Sequence, residues 1–411
     1  MFTRTANLFA VLFVIVIGSA LTESYRNMLS SKEQNASNVL SVACNNFTIP
    51  LFKSLSIGTG NNVVISPLNL HMILSLLSNG AGGFTLKELK SVLHHDTVSL
   101  NDEFKTLILL LNNMGDLELR IANKVYIQDG FDLMADFLST CTNIFQCSIA
   151  RLDFKDNIYA AKMINIWIQE TTNNKISNVI SSDDIGEDTR IMLINAIYFK
   201  SKWLHTFDER NTAKRTFHVS KTETNLVPTM FKKSKYAYGK ISTWHTTFIE
   251  IPYLNQDIAM IILLPDREIE LQVLENNFNW NTLVDAPRST EMISLYLPKF
   301  KFEITTNLKD TLCKIGLNTM FKDDADFRRL SNVPLKVSHA LQKMFIEVNE
   351  EGSEAAAATV VGIRLKRMII SPMEFVVDRP FLFVIEHKPS RVPLFLGSVR
   401  KIEFSQERDE L

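Results

Sequence analysis

Apolar positions recur in two different ways along the chain, and each predicts a different kind of element. Residues 68–77 are apolar around the whole helical circumference, which predicts a buried helix. Residues 84–89, Phe84-Thr85-Leu86-Lys87-Glu88-Leu89, predict the start of a second helix. Thr85 stands where an N-cap is expected, and Glu88 three residues later completes a capping box. Residues 160–170 keep helical spacing, with Trp167 on the apolar face. Further on the pattern changes. Residues 190–199 form a dense apolar run rich in β-branched and aromatic side chains, as expected of a buried central strand. Residues 258–264 predict another strand stopped by Pro265, and residues 292–297 alternate up to Pro298. Residues 381–385 and 394–399 add two more. Helices gather in the first half and strands in the second, without βαβ order. The fold class is therefore α+β, with large, mostly antiparallel or mixed sheets.

Composition narrows this to one domain. The chain has 411 residues, 46% of them hydrophobic, with its 14 Gly and 12 Pro scattered rather than gathered into a linker. A formal net charge of −1 gives nucleic-acid binding no electrostatic support. Arg4, the apolar run 8–17 and Gly18-Ser19-Ala20 predict a signal peptide over residues 1–20. The run is shorter than the roughly 20 apolar residues a membrane span needs. The last four residues, Arg408-Asp409-Glu410-Leu411, are a close variant of the Lys-Asp-Glu-Leu signal that retrieves proteins to the endoplasmic reticulum. A receptor for that signal is thus one expected partner. Asn35-Ala36-Ser37 and Asn46-Phe47-Thr48 are glycan acceptor motifs in a secretory chain. Cys44, Cys141, Cys147 and Cys313 are too few and too irregular for a disulfide scaffold or a zinc site, and no bridge is assigned. Metal-ligand spacing, nucleophile elbow and phosphate loop are all missing, so no catalytic residue, metal or cofactor is assigned.

One segment stands apart. Glu350, Glu351, Gly352, Ser353, Glu354, Ala355, Ala356, Ala357, Ala358 and Thr359 lead through Val360-Val361-Gly362-Ile363 into Arg364-Leu365-Lys366-Arg367-Met368. Alanine alone favours an ordinary helix, and a basic cluster alone is usually a solvated face. Neither accounts for the two side by side between strand-like segments, with Pro372 behind them. The pattern resembles the hinge and reactive-centre loop of inhibitory serpins, and further motifs follow the order of that family. Residues 62–67 (NVVISP), 193–203 (LINAIYFKSKW), 345–352 (FIEVNEEG), 378–383 (DRPFLF) and 393–397 (PLFLG) resemble its signature segments.

The resemblance implies helices packed around three β-sheets, an exposed reactive-centre loop, a serpin domain over 21–407 and a monomer. It also implies a suicide mechanism. A serine protease attacks the loop, forms a covalent acyl-enzyme through its own serine, and is displaced as the cut loop inserts as an extra strand. The residues suit that role. A strand places every second side chain on one face, and Ser353, Ala355, Ala357, Thr359 and Val361 are all small or β-branched. Fifteen residues from Ser353 to Arg367 span roughly 50 Å when extended, enough to cross a large sheet. A polar cluster beneath the sheet opening is implied for Ser66, Asn69 and Asn195, with Gln342 where many relatives carry His. Family spacing puts the cut at Lys366-Arg367. Arg364, Lys366 and Arg367 together instead match the Arg-x-Lys-Arg pattern of furin-like convertases, with the reactive bond Arg367-Met368. A trypsin-like protease cutting at Lys366 or Arg367 is the alternative target. A non-inhibitory secretory-pathway chaperone is the alternative class, against which the alanine hinge argues. Lys232, Lys233 and Lys235 suit either a polyanion or a solvated face.

Overall fold

The computed structural model describes residues 39–94, 100–112, 114, 117–172, 174, 177, 179–352 and 373–403, and the side chains of 117–122 are left aside. Nine helices are described: α1 (39–56), α2 (Pro67–Gly80), α3 (Gly83–Leu93), α4 (Asn101–Asn112), α5 (Ala135–Asn143), α6 (Asn157–Thr171), α7 (Leu271–Asn277), α8 (Trp280–Asp285) and α9 (Lys309–Lys314). Fourteen strands accompany them. They are β1 (Val63–Ile65), β2 (Leu117–Gln128), β3 (Ser148–Leu152), β4 (Ile191–Ser201), β5 (Ala213–His218), β6 (Thr224–Ile241) and β7 (Thr246–Pro252). The remainder are β8 (Ile258–Pro265), β9 (Ser289–Pro298), β10 (Phe300–Asn307), β11 (Val337–Val348), β12 (Met373–Val376), β13 (Phe381–His387) and β14 (Val392–Val399).

The strands form two hydrogen-bonded sheets. A five-stranded sheet runs β10-β11-β4-β2-β3, and a nine-stranded sheet runs β1-β14-β13-β8-β7-β6-β9-β12 with β5 added to β6. Three sheets become two ladders because the 18-residue β6 is shared. Its early part pairs with β5, its middle with β9 and its end with β7. α2 packs against β14 of one sheet and against β2 and β4 of the other. Every residue of α2 except Asn79 is consequently buried, as its all-round apolar pattern requires. β8, β13 and β14 are buried along their whole length, and β4 is buried at every position but Lys200. Trp167 of α6 is half-buried and meets Tyr126 edge to face.

The capping expectation for α3 is corrected. The helix starts at Gly83, with Gly82 in the cap position. Thr85 already lies inside the first turn, and its buried hydroxyl accepts the Asp326 N–H (2.9 Å). Glu88 reaches outward, accepting the Asn318 N–H (2.8 Å) and both the N–H (2.7 Å) and hydroxyl (2.8 Å) of Thr319. Both side chains hold a distant loop, and a local capping box would leave those loop donors unpaired.

Candidate functional site

Within the five-stranded sheet, β11 and β4 are parallel neighbours, in register from Ala340↔Leu193 to Ile346↔Phe199. β4 in turn pairs antiparallel with β2, Asn195 facing Asn123. Gln342, Asn195 and Asn123 therefore lie in one row across three strands, on the face beneath which α2 passes. In the folded protein they join Ser66 and Asn69 in a hydrogen-bonded column. The Gln342 amide nitrogen donates to the Ser66 carbonyl (3.2 Å) and to Asn195 Oδ1 (2.8 Å). Its oxygen accepts the Ser66 N–H (3.0 Å). Asn195 donates to Asn123 (2.5 Å), which donates to Asn69 (2.5 Å). All five residues are buried. The Asn69 amide nitrogen has no partner among the described residues. The four residues expected in this cluster are thus brought together. Asn123 was missed, although it shares its strand face with the fully buried Val125 and Ile127, where an amide side chain is out of place.

At the end of β11 the chain makes a tight turn that is held from three sides. The Asn349 carbonyl accepts the Trp203 indole N–H (2.9 Å), the Glu350 carbonyl the Phe207 N–H (2.8 Å), and the Glu351 carbonyl the Trp203 N–H (3.1 Å). The buried Glu350 carboxylate accepts from Lys299 Nζ (2.7 Å) and from the Thr212 hydroxyl (2.7 Å). Burial alone would push its pKa up, but these two donors outweigh it and hold the carboxyl below its ordinary value. Gly352 closes the turn at φ +73°, and a Cβ there would sit 2.3 Å from the Trp203 nitrogen. Both the left-handed backbone and the close approach demand glycine.

Of the ten hinge residues, Glu350, Glu351 and Gly352 are described. Ser353, Glu354, Ala355, Ala356, Ala357, Ala358 and Thr359 lie outside the described residues, as do Arg364, Lys366, Arg367 and Met368. The same holds for the leader 1–20, Asn35 and the terminal Arg408, Asp409, Glu410 and Leu411. Asn46 sits half-buried on α1. The Phe47 and Thr48 of its motif are fully buried, the Thr48 hydroxyl donating to the Cys44 carbonyl (2.7 Å). Lys232 donates to the Thr206 carbonyl (2.6 Å), while Lys233 and Lys235 are exposed on β6. All four cysteines are free thiols, and no group of residues suited to hold a metal occurs among the described residues. No helix among them is long and apolar enough to cross a membrane.

Comparison with known proteins adds four findings. A family model described as serpin (serine protease inhibitor) matches residues 42–402. Antichymotrypsin-2 of Bombyx mori is 38% identical over 370 residues, 88% of this chain and 98% of that protein. Leukocyte elastase inhibitor of Bos taurus is 34% identical over 374 residues, covering 87% and 98%. Among solved structures, Serpin48, a highly specific serpin of the insect Tenebrio molitor, superposes with a TM-score of 0.81 at 31% identity, covering 89% of this chain and 98% of that one.

Proposed function

This chain belongs to the serpin family of serine protease inhibitors, and on that premise we propose that it is an inhibitory member, directed at furin-like proprotein convertases and cut after Arg367. One observation carries the inhibitory half. The hinge turn at residues 349–352 leaves the end of β11 beside a seam formed by two parallel strands. A segment leaving Gly352 and doubling back runs antiparallel to β11, and therefore antiparallel to β4 as well. Entering the seam, it exchanges one parallel ladder for two antiparallel ones, adding backbone hydrogen bonds along its length. The alternating small residues from Ser353 to Val361 are those such an entry tolerates.

The choice of protease rests on Arg364, Lys366 and Arg367. Convertases bind several basic side chains in acidic pockets, whereas a trypsin-like enzyme needs one. The leader and the Arg-Asp-Glu-Leu terminus support a place in the secretory pathway, retrieved to the endoplasmic reticulum, where convertases mature. A specific observation favours the trypsin-like reading: family spacing from Gly352 puts the cut one residue earlier, after Lys366. Mutation separates the two. The unaltered chain forms an SDS-stable complex with furin, and Arg364→Ala abolishes it while leaving a trypsin complex intact. Undiminished furin complex in Arg364→Ala refutes the convertase reading. Cleaved loop without any complex, from either protease, refutes inhibition.

A further inference from the structure

Cys141 and Cys147 lie six positions apart where α5 gives way to β3. The Cys147 N–H donates to the Cys141 carbonyl (3.0 Å), and the Cys141 thiol donates back to the Cys147 carbonyl (3.0 Å). A backbone contact of that length holds the two α-carbons within roughly 7 Å, the range in which a disulfide closes without backbone movement. The Cys147 thiol donates in turn to the Ser148 carbonyl (3.5 Å). Interaction between the two cysteines pulls the Cys141 thiol below its ordinary pKa and, together with burial, pushes Cys147 well above it. The other two cysteines are unlike this pair. Cys44 is fully buried with its thiol pushed far up by burial, and Cys313 stands alone, half-buried, on α9.

We propose that Cys141 and Cys147 are a disulfide-forming pair, bridged when the folded chain meets a disulfide donor such as glutathione disulfide or a protein disulfide oxidoreductase. The Cys141 thiolate attacks one donor sulfur, forming a mixed disulfide and expelling the first donor thiolate. The Cys147 thiolate then attacks the Cys141 sulfur and expels the second. The protein loses two electrons and two protons, and the donor ends as two thiols. Both cysteines are buried, but Cys147 lies between the exposed Gln146 and Ser148, so a local opening of residues 144–147 admits the donor. The bridge ties the residue immediately before β3 to α5. β3 is the edge strand of the five-stranded sheet, and its pairing with β2 starts at Ser148, next to Cys147. α5 in turn packs on α2, with Phe137 against Gly80. The bond therefore clamps the sheet edge remote from β10 and β11 to the helices beneath.

The test uses the folded full-length chain, reduced and then equilibrated across a series of reduced-to-oxidised glutathione ratios. After denaturation and alkylation, tryptic peptides are weighed. Cys141 and Cys147 share one tryptic peptide, residues 125–151, bounded by Lys124 and Arg151. At oxidising ratios this peptide loses two hydrogens and carries no alkyl group, while Cys44 and Cys313 remain alkylated. A Cys141→Ser chain gives no such peptide and retains the alkyl group, or a single glutathione, on Cys147. A doubly alkylated 125–151 peptide at every ratio overturns the proposal, as does a bridge from either residue to Cys44 or Cys313.

Discussion

Gln342→Leu tests whether the polar column stabilises the seam. Leucine keeps the approximate volume and removes both amide groups. The Ser66 N–H, the Ser66 carbonyl and Asn195 Oδ1 each lose a partner at 2.8–3.2 Å. Ser66 is 3% and Asn195 1% exposed, so water does not replace those bonds. A buried group left unsatisfied costs about 1–3 kcal/mol. The carbonyl suffers least, because it also accepts the Leu70 N–H (3.2 Å). Leucine returns about 1 kcal/mol by burying carbon in place of amide. The net loss is about 4 kcal/mol. Unfolding entropy of about 2.1 cal/mol/K per residue, over roughly 360 family residues, converts this to a drop in Tm of about 5 °C. Calorimetry at one fixed scan rate is the assay, because large secreted proteins often unfold irreversibly. Adding Asn195→Leu does not restore the loss, because it removes the orphaned Asn195 Oδ1 but orphans Asn123 Oδ1, which Asn195 feeds at 2.5 Å. A Tm drop below about 1 °C, in a variant with unchanged circular dichroism, would refute a stabilising role for the column.

Two further outcomes follow. Gly352→Ala forces a Cβ to within 2.3 Å of the Trp203 nitrogen at φ +73°, so at least about 2 kcal/mol is lost and the Trp203 fluorescence shifts as its bond to Asn349 loosens; an unshifted spectrum and Tm contradict the hinge geometry. Burial pushes the Glu386 pKa up to about 7 with one carboxylate oxygen unpartnered, above its unfolded value. Stability therefore falls as pH rises from about 4.5 through 7, by about 3 kcal/mol for this group. Burial lowers His387 to about 4, which opposes that trend between pH 6.5 and 4 by destabilising the acid side. Between pH 6.5 and 7.5 Glu386 acts alone, so Glu386→Gln flattens the urea midpoint there, and an unchanged slope in the variant contradicts the assignment.

Much of the fold was legible because burial writes itself into composition. β8 is an unbroken apolar run, β4 a dense one, and α2 is apolar on every side. What failed to show depended on partners far along the chain. Thr85 and Glu88 have the spacing of a capping box, yet Asp326, Asn318 and Thr319, more than 200 residues away, take both side chains. Asn123 joins the polar column only because the register of β2 on β4 sets it opposite Asn195. The joining of two expected sheets through β6 hides in a strand that has three partners in turn. Glu350 was expected in the hinge from its place in the motif. Its grip on Lys299 and Thr212 is a fact of tertiary structure that no local spacing reveals.

On the proposed inhibitory reading, the column and the hinge turn together explain why a strand would enter at this seam. Elsewhere in the core, parting two strands exposes apolar surface that nothing small can replace. Between β11 and β4 the row at Gln342↔Asn195 is held by amides. An amide that loses one partner can bond water or an incoming backbone, so much of the cost of opening is recoverable there. The same amides hold the closed seam while nothing enters, because Gln342 and Asn195 bond each other across it (2.8 Å). At the end of β11 the Glu350 carboxylate, kept ionised by Lys299 and Thr212, holds the hinge turn in place. Entry is thus opposed by a few polar contacts and rewarded by ladder bonds along the length of the inserted segment, the balance a closed but loaded sheet requires.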